Sequence, residues 1–303
     1  PTLVLGQADF TANGTGDGLD RMNFPGAIAV TTDGRVVVAD SYNNRLLVWN
    51  SFPTRTGQPA DRVVRPENFL WPWGVWTDGT RLIASSTTNG RILIWDTFPT
   101  SETQAPSLVL TGAGQVGTPR TITSNGSWLA IGDHNSRGPI GGVVMHVWNS
   151  FPTTDRAPDF QWRDPLDINY ASLSGDITRR GEAVMIGRYL HIWSPPPQNN
   201  ATAPLLTLKA FNFVGGDGST VAAAGDRLFV SMYNGNRVVV YRTVPTTDRD
   251  PDFALGSPSI CTNTLDTKYI ITNPSPVSNG RSLFVTSEFD QRMYVWKNIP
   301  DES

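Results

Sequence analysis

Acid–base, metal and nucleophilic chemistry all need reactive groups gathered at one point, and this chain carries few of them. Histidine occurs three times, as His134, His146 and His191. His146 and His191 each stand two residues before a tryptophan, Trp148 and Trp193. A mid-strand imidazole between sheets is usually a satisfied core group, so neither is assigned a ligand. His134 lies in the run Gly132-Asp133-His134-Asn135-Ser136-Arg137 and is better placed to reach one. A zinc site needs several imidazoles, thiolates or carboxylates converging on the metal, and three scattered histidines make that poor. Cys261 is the sole cysteine, so neither an internal disulfide nor a cysteine metal cluster can form. No G-x-S-x-G, H-E-x-x-H or phosphate-loop pattern occurs. Gly16-Asp17-Gly18 and Gly216-Asp217-Gly218 read as turns, because the other ligands of a calcium loop are missing.

The densest local anomaly is aromatic: Leu70-Trp71-Pro72-Trp73-Gly74-Val75-Trp76. Exposed indoles there would stack on a sugar or another flat ligand, since they join apolar area to a polar handle. The competing reading is packing between sheets. Trp76 is expected in the core, and Trp71 and Trp73 are the candidates to face a ligand.

Elements must hold these groups in place, and the chain announces them by a repeat. An aliphatic residue, then Trp or Tyr, then proline four positions later recurs at Trp49, Trp95, Trp148, Trp193, Tyr241 and Trp296. The aromatics lie 45 to 55 residues apart, a period that signals a repeat architecture. Within one unit, Gly74–Thr77, Arg81–Ser85, Arg91–Trp95 and Ala105–Leu110 are short apolar runs separated by turn residues such as Asp78-Gly79. Four such runs predict a four-stranded antiparallel sheet. The runs lack clean alternation, so both faces are expected to be covered, as in sheets stacked around an axis. The near-identical connectors at 151–160 and 244–253 point to duplication.

The sixth unit stops after three strands, whereas residues 1–6, PTLVLG, match the fourth strand of unit two, PSLVLT. The N-terminal strand is therefore expected to complete the last sheet and tie the termini together. The reading is all-β: a six-bladed β-propeller of four antiparallel strands per blade, forming one domain over 1–303. Its blades span about 24–66, 70–111, 117–162, 168–209, 216–256, and 270–303 plus 1–6.

The segments LVLGQADF (3–10) and FPGAIAVTTDGRVVVADSYNNRLLVW (24–49) resemble NHL repeats of the bacterial "VLGQ-x-D-F", "P-x-G-(I/V)-A-V", "V-A-D", "N-N-R" form. The match is strong in unit one, moderate in units two, five and six, and confined to spacing in three and four. The resemblance implies the same propeller. It implies no single activity, because NHL-like propellers include scaffolds, ligand binders, RNA binders and a few lyases and lactonases.

Composition narrows the partners. Net charge is −3 and the isoelectric point near 5.6, which argues against a phosphate-binding surface and hence against nucleic acid. No apolar run is long enough to span a membrane. Pro1 is not a start residue, so a mature or trimmed chain is expected. The resemblance and the Asn-, Thr-, Gly- and Pro-rich loops favour an extracellular or periplasmic setting. The innermost runs GAIAVT, GVWT, RTIT, ASLSG, STVAA and TNPSPV are nearly free of carboxylates, whereas a calcium site would need several pointing inward. Asp40, Asp133, Glu288 and Asp290 fall at second-strand ends instead, and Asp40 reads as a turn cap.

In such a ring the loops between second and third strands share a face with the loops between blades, which are long at 6–23 and 256–269. Long asymmetric loops either carry function or cover the closing blade. The expected role is non-catalytic binding of a protein, peptide or glycan by this face and the channel mouth. The candidates are Tyr42, Asn43, Trp71, Trp73, Arg120, His134, Tyr170, Tyr233, Glu288 and Asp290. Aromatics would stack, Arg120 and His134 donate, and the carboxylates accept. No catalytic residue or cofactor is assigned, and calcium stays open. The alternative is a lyase or hydrolase with a metal in the channel.

Overall fold

The computed structural model describes residues 1–164, 174–213 and 219–301. Strand β1 is Leu3–Leu5. Blade 1 follows as β2 (Pro25–Val30), β3 (Val36–Asp40), β4 (Arg45–Trp49) and β5 (Arg62–Val64). Blade 2 is β6 (Val75–Thr77), β7 (Leu82–Ser86), β8 (Arg91–Trp95) and β9 (Leu108–Leu110). Blade 3 is β10 (Pro119–Ser124), β11 (Leu129–Ser136), β12 (Gly142–Trp148) and β13 (Phe160–Trp162). Blade 4 is β14 (Ser174–Ile177), β15 (Ala183–Ile186), β16 (Leu190–Trp193) and β17 (Leu206–Leu208). Blade 5 is β18 (Val221–Ala224), β19 (Arg227–Met232), β20 (Arg237–Tyr241) and β21 (Phe253–Leu255). Blade 6 is β22 (Pro274–Ser278), β23 (Leu283–Ser287) and β24 (Arg292–Trp296), with β1 as its outer strand.

Each blade is an antiparallel meander, and its first strand packs against the first strands of both neighbours around the axis. Tight turns such as Asp33-Gly34, where Gly34 has φ of 94°, reverse the chain in the left-handed region that glycine tolerates. The middle strands β3, β4, β7, β20 and β23 are buried at every position, which is why their sequences do not alternate. The core lies in the seams between blades. One cluster, for example, joins Val37, Leu46 and Val48 of blade 1 to Val75, Leu82 and Trp95 of blade 2.

The repeat aromatics have a physical reason. Trp49, Trp95, Trp148, Trp193 and Tyr241 are almost fully buried. Each indole N–H donates to a carbonyl in the connector that follows: Trp49 to Gln58, Trp95 to Gln104, Trp148 to Arg156 and Trp193 to Thr202, at 3.0–3.2 Å. The Tyr241 hydroxyl does the same to Arg249 at 3.2 Å. The ring clasps the proline-containing connector that leads to the outer strand.

Closure is as the termini suggest. Leu3, Val4 and Leu5 lie opposite Val295, Tyr294 and Met293. The long loop at 6–23 covers this seam. Buried Gln7 donates to the carbonyls of Gly14 and Gln291, and Arg45 donates to those of Gly18 and Arg21. Phe10 meets Tyr269 of the second long loop at 5.8 Å between ring centroids. Of the two roles open to these loops, covering the closing blade is the one their contacts carry.

Candidate functional site

The candidate residues occupy distinct environments. Tyr42 is the middle residue of the short 3-10 helix Ser41–Asn43 between β3 and β4, and is 56% exposed. Its ring stacks on Phe24 at 4.4 Å and 6°. Phe289, at the matching turn of blade 6, is 55% exposed and lies 5.5 Å from Phe24. These three rings form one aromatic strip across the joint of blades 6 and 1. The strip is held from beneath. Phe24 takes an uncommon positive φ of 61°, and its N–H donates to the Gln291 side chain. The Tyr42 N–H donates to the Asn23 carbonyl at 3.0 Å. Trp71, also at positive φ, donates its backbone N–H to Asn44 Oδ1 at 2.7 Å, carrying the frame into blade 2. Leu70 beside it is exposed.

Arg120 of blade 3 lies 5.7 Å from the Trp71 ring and 5.9 Å from the Trp73 ring, within cation–π range. Trp71 is half-buried, and its indole N–H finds no acceptor among the described residues. Trp73 is only 2% exposed and packs inside, so the pair expected at the channel mouth divides. Gly74 explains the tightness here: a Cβ at this position would sit 2.0 Å from the Arg120 carbonyl oxygen.

The polar candidates build the turns. Asn43 donates to the Gly16 carbonyl and to Asp40, both at 2.8 Å. Buried Asp40 also accepts from the Asn23 N–H and Arg45 Nε at 2.7 Å, and burial pushes its carboxyl above the usual range. Glu288 is 1% exposed and accepts from the Asn273 amide at 3.1 Å. Asp290 is buried and accepts from the Thr272 and Ser287 hydroxyls at 2.9 and 2.5 Å. Both acids were expected to meet a ligand, but their environment is the hydrogen-bonded interior of the blade 6 turn. Tyr233 opens the helix Tyr233–Gly235, the blade 5 counterpart of the Tyr42 helix. Tyr170 falls outside the described residues.

Strand β11 runs on to Ser136, so His134 lies within it. His134 is half-buried there, with its backbone N–H on the Thr118 carbonyl at 3.2 Å. The other histidines sit in buried pairs. His146 Nε2 lies 2.9 Å from Asp133 Oδ2, and His191 Nε2 lies 3.0 Å from Asp164 Oδ2. Asp133 also accepts from the N–H groups of Gly117, Thr118 and Asn135. Burial works to raise its carboxyl, but the His146 contact and the Gly117 and Thr118 N–H groups hold it below the usual range.

The axial channel has a volume of about 270 Å³ and is lined by the first strands of all six blades. Asp176 of β14 is its sole carboxylate among the described residues. Burial raises this carboxyl to about 6, although the Ala223 and Ile177 N–H groups donate to it at 2.6 and 2.7 Å. Sequence reading missed it because the inner run was ended one residue early, at Gly175. Phe289 was missed as well, although Phe289-Asp290-Gln291-Arg292 aligns with Tyr42-Asn43-Asn44-Arg45. A calcium ion takes six to eight oxygen ligands, several of them carboxylates. Among the described residues, no group of three or more His, Cys, Asp or Glu side chains could hold a metal. Among those residues, too, no helix is long and apolar enough to cross a membrane.

Comparison with known proteins agrees with this geometry. Residues 22–49 match the NHL repeat model. No curated protein matches the sequence. A chain in a crystal structure of the mitotic checkpoint complex superposes with a TM-score of 0.57 at 14% identity, covering 99% of this chain and 95% of that one. A catalytically inactive virginiamycin B lyase from Staphylococcus aureus, crystallised with quinupristin, gives 0.50 at 10% identity over 94% and 82%. Identities this low carry the fold alone. The chain is a six-bladed β-propeller whose first blade contains an NHL repeat.

Proposed function

We propose that this propeller is a non-catalytic binding module that docks a protein partner on its loop face, at the joint of blades 6, 1 and 2. One observation carries the proposal: Tyr42 and Phe289 are each more than half exposed, yet the strip they form with Phe24 is fixed by hydrogen bonds from two blades. Monomers seldom expose clustered large aromatics without a use for them. Rigid aromatic anchors lose little conformational entropy on binding and dominate interface energies. Trp71, Leu70 and Arg120 extend the strip.

The test is the double variant Tyr42→Ala/Phe289→Ala against Leu205→Ala, an exposed residue of blade 4. Partners captured from a native extract by the parent should be lost by the double variant, at a cost of about 2 kcal/mol or more per anchor. Leu205→Ala should retain them. Equal retention by both variants, with unchanged melting, removes the assignment.

A second reading, acid–base chemistry in the channel, has Asp176 behind it. A carboxyl near 6 is suited to exchanging a proton near neutral pH. A carboxyl resonance titrating near 6 and absent from Asp176→Asn supports it. Titration at an ordinary value of about 4 removes it.

A further inference from the structure

A second pocket lies on the flank of the ring, between the outer parts of blades 3 and 4, and shares no residue with the aromatic strip at blades 6, 1 and 2. Its volume is about 380 Å³, which suits one small molecule rather than a folded partner. Trp162 and Trp193 line it, edge to face at 5.2 Å and 89°, and Ile140 and Pro204 add apolar wall. The polar lining is one-sided. Arg163 and Lys209 face it and, among the described residues, no Asp or Glu does, in a chain whose net charge is −3.

The donors are partly spent and partly free. Arg163 donates through Nε to the Val143 carbonyl at 3.1 Å and through Nη2 to the carbonyls of Ile140 and Gly141. That anchorage fixes the guanidinium and leaves Nη1 without an acceptor among the described residues. Lys209 is exposed and forms no ion pair among those residues. The Trp193 indole N–H is taken by the Thr202 carbonyl, whereas that of Trp162 has no acceptor among the described residues. Aromatic walls, two cations and an unused indole donor define the complement: a flat apolar body carrying an anionic acceptor.

We propose that this flank pocket binds a small aromatic carboxylate, its ring against Trp162 and its carboxylate on Lys209 and Arg163. A pre-fixed guanidinium and a carboxylate make a strong charge-assisted pair.

The probe is 2-naphthoate, titrated calorimetrically into the full chain, with the neutral 2-naphthalenemethanol as its isostere. The acid should saturate one site with Kd below about 1 mM. Lys209→Ala is an exposed change and should leave melting intact while weakening the acid about tenfold. The alcohol should bind the parent no better than the acid binds this variant. Lys268→Ala, a lysine of a different pocket, should change nothing. Absence of saturable heat, equal binding of acid and alcohol, or full affinity in Lys209→Ala would each overturn the proposal.

Discussion

Leu5 tests whether the ring is closed in solution. It is fully buried in β1, opposite Met293, in a cluster that also holds Trp49 and Phe284. Leu110 is its counterpart in β9 of blade 2, equally buried, in a sheet whose strands are all contiguous in sequence. Truncating a buried leucine to alanine removes the transfer free energy of three carbons and leaves a cavity, together about 2–5 kcal/mol. Backbone entropy barely changes, so the two variants are comparable. Each kcal/mol moves the melting temperature of a protein somewhat smaller than this by about 2–4 °C, so losses on the order of 5–15 °C are expected for both. The assay is thermal denaturation by circular dichroism, with urea midpoints as a check. If β1 is docked, Leu5→Ala and Leu110→Ala fall together. If it is not, Leu110→Ala falls alone. Deleting residues 1–5 extends the test: the shortened protein should melt lower and recover when a synthetic peptide of residues 1–7 is added. A Leu5→Ala protein as heat-resistant as its parent would refute the closure argument.

Other outcomes follow from the same geometry. Asp176 has a folded value of about 6 against 3.8 for a free aspartate, so between these values the folded state binds more protons than the unfolded chain. Its contribution is therefore most favourable below pH about 4 and declines as pH rises to about 6, by at most about 3 kcal/mol. The stability difference between parent and Asp176→Asn should grow over that window, and a constant difference would contradict the burial of the carboxyl. Asp133→Ala should cost about 3 kcal/mol or more, because it strands His146 and the N–H groups of Gly117 and Thr118; a melting shift within about 1 °C would deny the network. Gly74→Ala should lower stability by on the order of 2–4 kcal/mol, since its methyl would meet the Arg120 carbonyl, and wild-type melting would show that blades 2 and 3 lie farther apart.

Much of this molecule could be read along the chain, and the reason is its repetition. Trp49, Trp95, Trp148 and Trp193 recur because the same clasp on the following connector is made each time. Asn44 and Arg45 of the N-N-R motif have equally local reasons: Asn44 sits at a left-handed φ of 54° that ends a helical turn, and Arg45 gathers nearby carbonyls and Asp40. Candidate binding residues were less legible. Trp71 and Trp73 are two residues apart and chemically alike, yet one is half-exposed and the other sealed. Glu288, Phe289 and Asp290 are consecutive, but the acids turn inward and the phenylalanine outward.

Sequence alone thus determined blade number, strand order and the closing partner of residues 3–5, since these rest on local periodicity and on one strand lacking its mate. Tertiary structure decided which side chains meet. Phe24, Tyr42 and Phe289 come from both ends of the chain and touch because blade 6 is bonded to blade 1. The acidity of Asp176 depends on strands that converge around the axis, and the flank pocket on outer strands of two separate sheets. Burial and proximity between blades are properties of the assembled ring, and no window of sequence contains them.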